Sequence, residues 1–187
     1  MTILILGLAL WVLAHFFKRL SPGGRSGLAA RFGDGPAKGI VAALIALSLV
    51  LMIWGYRTGE WTEVYAPPSW GVHLNNLLMF AAIALFGMGS SKGRARAWLR
   101  HPMLTGVVVW AVAHLLVNGD AQSVVLFGGL AVWAVAEMVV INATAGPWVR
   151  PEPGPAKGDI RLIVIALVLY GVIAAIHTWL GYWPFPR

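Results

Sequence analysis

Six apolar runs organise this chain, at roughly Thr2–Phe17, Gly39–Tyr56, His73–Gly89, Pro102–Asn118, Ala121–Ile141 and Leu162–Leu180. Each comes close to the roughly 20 residues that a helix needs to cross the hydrocarbon of a bilayer. Between them the chain turns basic, or rich in Pro and Gly. The pattern predicts an all-α integral membrane bundle of about six transmembrane helices. The second and sixth runs are almost pure Ala, Leu, Ile and Val and read plainly as spans. The third opens on His73-Leu74-Asn75-Asn76, so a shortened or re-entrant helix competes with a full span there. Lys18-Arg19 follows the first run and no basic residue precedes it, which is the pattern of a retained span rather than a cleaved signal peptide.

Composition agrees. The chain is 59% hydrophobic and 11% charged, with a mean hydropathy of +0.76, where soluble domains run to about 25% charged. The 187 residues fit a single polytopic domain, 1–187. The absence of cysteine removes disulfides, thiolate ligands, iron–sulfur clusters and covalent c-type haem attachment together.

A net charge of +7 in a soluble protein would point to nucleic acid. Here the charges sit between apolar runs, where they set topology instead. Lys18, Arg19, Arg25, Arg31 and Lys38, then Lys92, Arg94, Arg96 and Arg100, then Arg150, Lys157 and Arg161 fall on one side of a six-span map. Arg57 and Arg187 fall on the other, so twelve of the fourteen basic residues share a side. The positive-inside rule makes that side cytoplasmic and both termini periplasmic. Trp61, Tyr65, Trp70, Trp179, Tyr182 and Trp183 cluster at the outer boundary, and Trp98 and Trp148 at the inner one, the depth that amphipathic rings prefer. The segment GEWTEVYAPPSWG is expected to lie along the outer surface. The lipid bilayer is the expected partner, and nucleic acid is not.

Topology assigns depth to the five histidines. His15 and His101 lie towards the cytoplasm, and His73, His114 and His177 towards the outside. An imidazole in hydrocarbon is costly unless it has a partner. Trp110, His114 and Asn118 recur every fourth residue and share one helix face. The segments GLALWVLAH and GVVVWAVAH share Gly-x3-Trp-x2-Ala-His, ending on His15 and His114, and hint at a 3+3 inverted repeat. In each, the glycine would leave room for a flat group and the tryptophan would wall it.

Three chemistries suit such imidazoles. Haem b takes histidine as an axial ligand and an apolar surround. Zinc would want carboxylates or thiolates beside them, and Glu137 is the only carboxylate within a run. A relay of histidines and asparagines in a transporter or a non-enzymatic membrane factor is the third. Against all three stands a plain helix–helix hydrogen bond at each histidine.

The run RHPMLTGVVVWAVAHLLVNGDAQSVVLFG resembles the core motif of the NnrU family of bacterial membrane proteins. WVLAHFFKRLSP, ARFGDGPAKG and LMIWGYRTG resemble the N-terminal half of that family in the same order. The family is similar to zeta-carotene isomerase, a haem b enzyme, and is associated with denitrification and nitric oxide metabolism. The resemblance implies haem b held by His114 and His15, with His101 a third matching histidine, in a bacterial inner membrane. An isomerase-like redox activity on an apolar small molecule would follow from the same likeness. Two positions depart from the isomerase pattern: Ala111 replaces a cysteine, and a histidine expected near Tyr56 is missing.

His15 and His114 differ in expected depth by about eight helical steps, roughly 12 Å. His177 matches His114 in depth, with Gly171, Ala174 and Ala175 nearby to leave room, and His73 follows as a fourth candidate. Arg100-His101-Pro102 carries a different resemblance, Arg-His-Pro-x3-Gly, to isoprenylcysteine-type methyltransferases that bind adenosylmethionine. Its other reading is a cytoplasmic helix cap beside headgroups, with Pro102 in the first helical turn. Substrate and oligomeric state have no signal in the sequence.

Overall fold

The computed structural model describes residues 1–186, the side chain of Lys18 excepted. Lys18 and Arg187 both entered the charge map, and there they rest on the sequence: the Lys18 side chain and the whole of Arg187 lie outside the described residues. The described residues form seven α-helices: α1 (Thr2–Leu20), α2 (Pro22–Phe32), α3 (Asp34–Arg57), α4 (Gly71–Met88), α5 (Pro102–Leu115), α6 (Ala121–Thr144) and α7 (Ala156–Trp179), with a 3-10 turn at Ala95–Ala97 before α5. No strand occurs among the described residues, only an isolated antiparallel bridge between Glu63 and Asp120.

Each of the six apolar runs is a helix, but not each is a full span. α3, α4, α6 and α7 are long and apolar enough to cross a membrane. α1 passes that test only together with α2, and the two are bent by 85°. The bend falls at Ser21, whose φ of −133° and ψ of 66° leave the helical region, and Pro22 then opens α2. α5 has 14 residues, about 21 Å of helix against about 30 Å of hydrocarbon. The expectation of six spans is thus reduced to four clear ones.

The described residues gather into two compact units. The first comprises Met1–Val64 and Asp120–Gly129. In it α1 packs on α3, and α2 folds against both. Two glycines make the crossing close. A methyl group on Gly7 would stand 2.7 Å from the Met52 nitrogen, and one on Gly55 would collide with the Leu4 backbone. Without a hydrophobic drive between helices in lipid, such close backbone packing is what holds them together. At the start of α6, Asp120 accepts the Ser123 N–H at 2.9 Å and the Ser123 hydroxyl at 2.6 Å, and Ser123 also bonds the Tyr56 hydroxyl at 2.9 Å.

The second unit comprises Tyr65–Gly119 and the chain from Leu130 onward. Here α4 packs against both α5 and α7. Tyr170 of α7 donates to the Asn76 side chain of α4, whose amide in turn donates to the Pro184 carbonyl at 3.0 Å, tying down the segment after α7. At the opposite end Asp159 accepts the Ala95 N–H at 3.0 Å, in a junction where Gly154 and Gly158 lie against the Lys92–Gly93 backbone. Large apolar side chains such as Leu77, Val139, Leu167 and Val168 stay more than half exposed, as residues facing acyl chains would.

Candidate functional site

Three histidines of this chain share one local construction. In α1 the Nδ1–H of His15 donates to the Trp11 carbonyl at 2.8 Å. In α5 His114 does the same to Trp110 at 2.9 Å, and in α7 His177 to Ile173 at 2.8 Å. The acceptor in each case is the carbonyl four residues earlier, which α-helical geometry brings beneath the ring. A carbonyl only accepts, so the neutral ring keeps its proton on Nδ1 and its lone pair on Nε2. That is the tautomer of a metal-ligating histidine whose other nitrogen is anchored.

The Gly-x3-Trp-x2-Ala-His segments are alike in more than this bond. The Trp11 and His15 rings meet at a tilt of 36° with centres 4.2 Å apart, and Trp110 and His114 at 56° with centres 4.9 Å apart. The leading glycines, however, do not open space beside the histidines. Gly7 admits Met52 of α3. A methyl on Gly106 would come within 3.1 Å of the Phe86 ring and 3.2 Å of the Ala82 carbonyl of α4. Both glycines serve helix packing, because the residue lies on the face turned to the neighbour. The partner also differs: α1 packs on the helix after it and α5 on the helix before it.

Within the second unit, α4, α5 and α7 enclose a half-open cavity of about 520 Å³. This is a size that holds a small molecule or cofactor. His114 and Trp110 line it from α5 and His177 from α7. Its remaining walls are apolar, with Ile83 and Phe86 from α4 and Leu162, Ala166, Leu169 and Ile173 from α7 among them. The α7 residues recur at helical spacing, so His177 is the last polar position on an otherwise aliphatic stripe. That stripe is readable in the sequence once His177 is asked which residues share its face. Gly171, Ala174 and Ala175, expected to leave room beside it, are not among the lining residues.

The remaining candidates have their own local settings. His15 belongs to the first unit. His73 is exposed in the first turn of α4. Asn118 does not reach the His114 ring; its amide donates to the His114 carbonyl at 2.9 Å, closing the end of α5. At the start of that helix, His101 donates from Nε2 to the Asn142 side chain at 2.9 Å, and Arg100 donates to the Gly146 carbonyl at 2.7 Å. Pro102 occupies the first helical turn. Arg100 and His101 thus tie α5 to the end of α6 and to the turn after it.

Tyr65, expected only as an aromatic at the outer boundary, has a bonding role that the sequence pattern does not show. Its hydroxyl donates to the Leu115 and Asn118 carbonyls, and its N–H to the Gly119 carbonyl at 3.1 Å. Ala121 N–H bonds the Thr62 carbonyl at 2.8 Å, and Gln122 donates to the Glu60 carbonyl. In the first unit Glu60 and Thr62 are thus bonded to the start of α6, and in the second Tyr65 is bonded to the end of α5 and the residues after it. A methyl on Gly119 would collide with the Tyr65 carbonyl. Asn118 and Gly119 thus close the end of α5 beside Tyr65, and Asp120 caps the start of α6.

Haem is the group that the resemblance implies, and its demands can be set against these residues. It needs one or two neutral imidazoles, since the porphyrin supplies the other four ligands, and an apolar slot. The cavity offers both. No three His, Asp or Glu gather as a bare metal ion would require among the described residues. The family whose model matches the chain is NnrU, described as NnrU protein, over residues 3–184. Neither the curated proteins nor the solved structures contain a match.

Proposed function

The chain belongs to the NnrU family, and on that premise we propose that it is a haem b-binding membrane protein with His114 as an axial ligand. One observation carries the reading. His114 stands in an apolar cavity with Nδ1 committed to the Trp110 carbonyl, so that the lone pair of the neutral ring is on Nε2. Trp110 gives an aromatic wall beside it, and Ile83, Phe86 and Leu169 make the lining around it apolar. A bound haem would supply one-electron chemistry and affinity for small gases such as nitric oxide. The residues supply the ligand, its fixed tautomer and an apolar surround. Service in nitric oxide or nitrite metabolism, or isomerase-like redox chemistry on an apolar small molecule, rests on the family likeness. Six crossings with both termini in the periplasm of a bacterial inner membrane belong to the same reading, supported by the distribution of basic residues.

Purified protein supplied with haem should develop a Soret band at a fixed stoichiometry. His114→Ala should retain at least roughly tenfold less haem, since even outer-shell partners of a metal site are worth that much. The variant's elution in detergent and its tryptophan fluorescence should match the parent. A parent without a Soret band, or a variant with an unchanged one, defeats the proposal.

A further inference from the structure

Two imidazoles that ligate one iron must face one space from different backbones, each with a lone pair directed away from its own helix. His114 and His177 meet that condition within a single unit. They stand on α5 and α7, two helices that both pack on α4, and both line the same cavity. Each holds its Nδ1 proton on the carbonyl four residues earlier, at 2.9 and 2.8 Å. Between them the cavity is walled by apolar residues, Phe86 and Ile173 among them, and no carboxylate lines it. Two neutral rings with no acid beside them suit a metal whose charge a porphyrin dianion already balances.

We infer that His177 is the second axial ligand, so that the iron is six-coordinate between α5 and α7. This rests on the haem reading above and departs from the pairing with His15 that the family resemblance implies. His177 has no other evident task. Its ring makes one bond, to its own helix, and a half-buried imidazole near the end of a membrane helix is costly to keep without a purpose.

The test uses the full-length protein in detergent, reconstituted with haem, and reads the ferric spin state by electron paramagnetic resonance and visible absorption. The parent should be low-spin. His177→Ala should become high-spin while still carrying haem, and added imidazole should restore the low-spin signal by filling the space of the missing ring. His177→Met should remain six-coordinate with an altered spectrum. His15→Ala should stay low-spin. A low-spin His177→Ala, a high-spin parent or conversion by His15→Ala overturns the pairing and leaves His114 standing. A parent that takes up no haem instead overturns the reading on which the pairing rests.

Discussion

At the scale of single residues, the glycines divide by what stands opposite them. Gly119 faces the Tyr65 carbonyl, and Gly171 on α7 has no atom within 4 Å of where a methyl would sit. Gly119→Ala should therefore cost about 1–3 kcal/mol, the usual range for overpacking. Gly171→Ala should stabilise by up to about 1 kcal/mol through helix propensity alone. Thermal unfolding in detergent checks both, and equal midpoints would contradict the packing described. His101 is the contrasting histidine. It bonds Asn142 and lines no part of the cavity, so His101→Ala should keep the parent's haem content and Soret maximum. Loss of haem from a folded, inserted His101→Ala would return the Arg-His-Pro segment to the site.

At the scale of elements, much was legible and the exceptions have causes. Six apolar runs became six helices because hydropathy over some twenty residues is a local property. α2 was not visible: PGGRSGLAARF has no apolar stripe, and the helix buries none of its residues. The end of α5 was also not visible. Leu115-Leu116-Val117 continues the apolar pattern, and the residue that bonds the Leu115 carbonyl is Tyr65, far away in sequence. The start of α6 is the reverse case, since Asp120 three residues before Ser123 is a recognisable cap. Asp120 is buried and makes two bonds to Ser123. Asp120→Ala should lower stability by about 1–2 kcal/mol, with faster proteolysis within residues 60–65 as a second sign. Unchanged stability would mean that the Ser123 bonds contribute nothing to the start of α6.

At the scale of the whole molecule, topology is the plainest expectation the sequence makes, because on a six-span map twelve basic residues share one side. An alkaline phosphatase fused at the C-terminus should be active, and a reporter that folds only in the cytoplasm should stay dark there. The opposite pattern would invert the depth assigned to each histidine. The site was half legible. His114 and His177 could both be named from the sequence, the second by its matching depth, whereas the cavity that both line needed the packing of α5 and α7 on α4. The bond from each ring to its own helix also bears on assembly. Because donor and acceptor sit four residues apart in one segment, the bond forms as soon as that segment is helical, before any neighbour arrives. A newly inserted α5 or α7 thus enters the bilayer with its imidazole tautomer already chosen. The two segments could then be drawn together by whatever binds both rings, and the order of biogenesis would run from prepared helices to ligand to bundle.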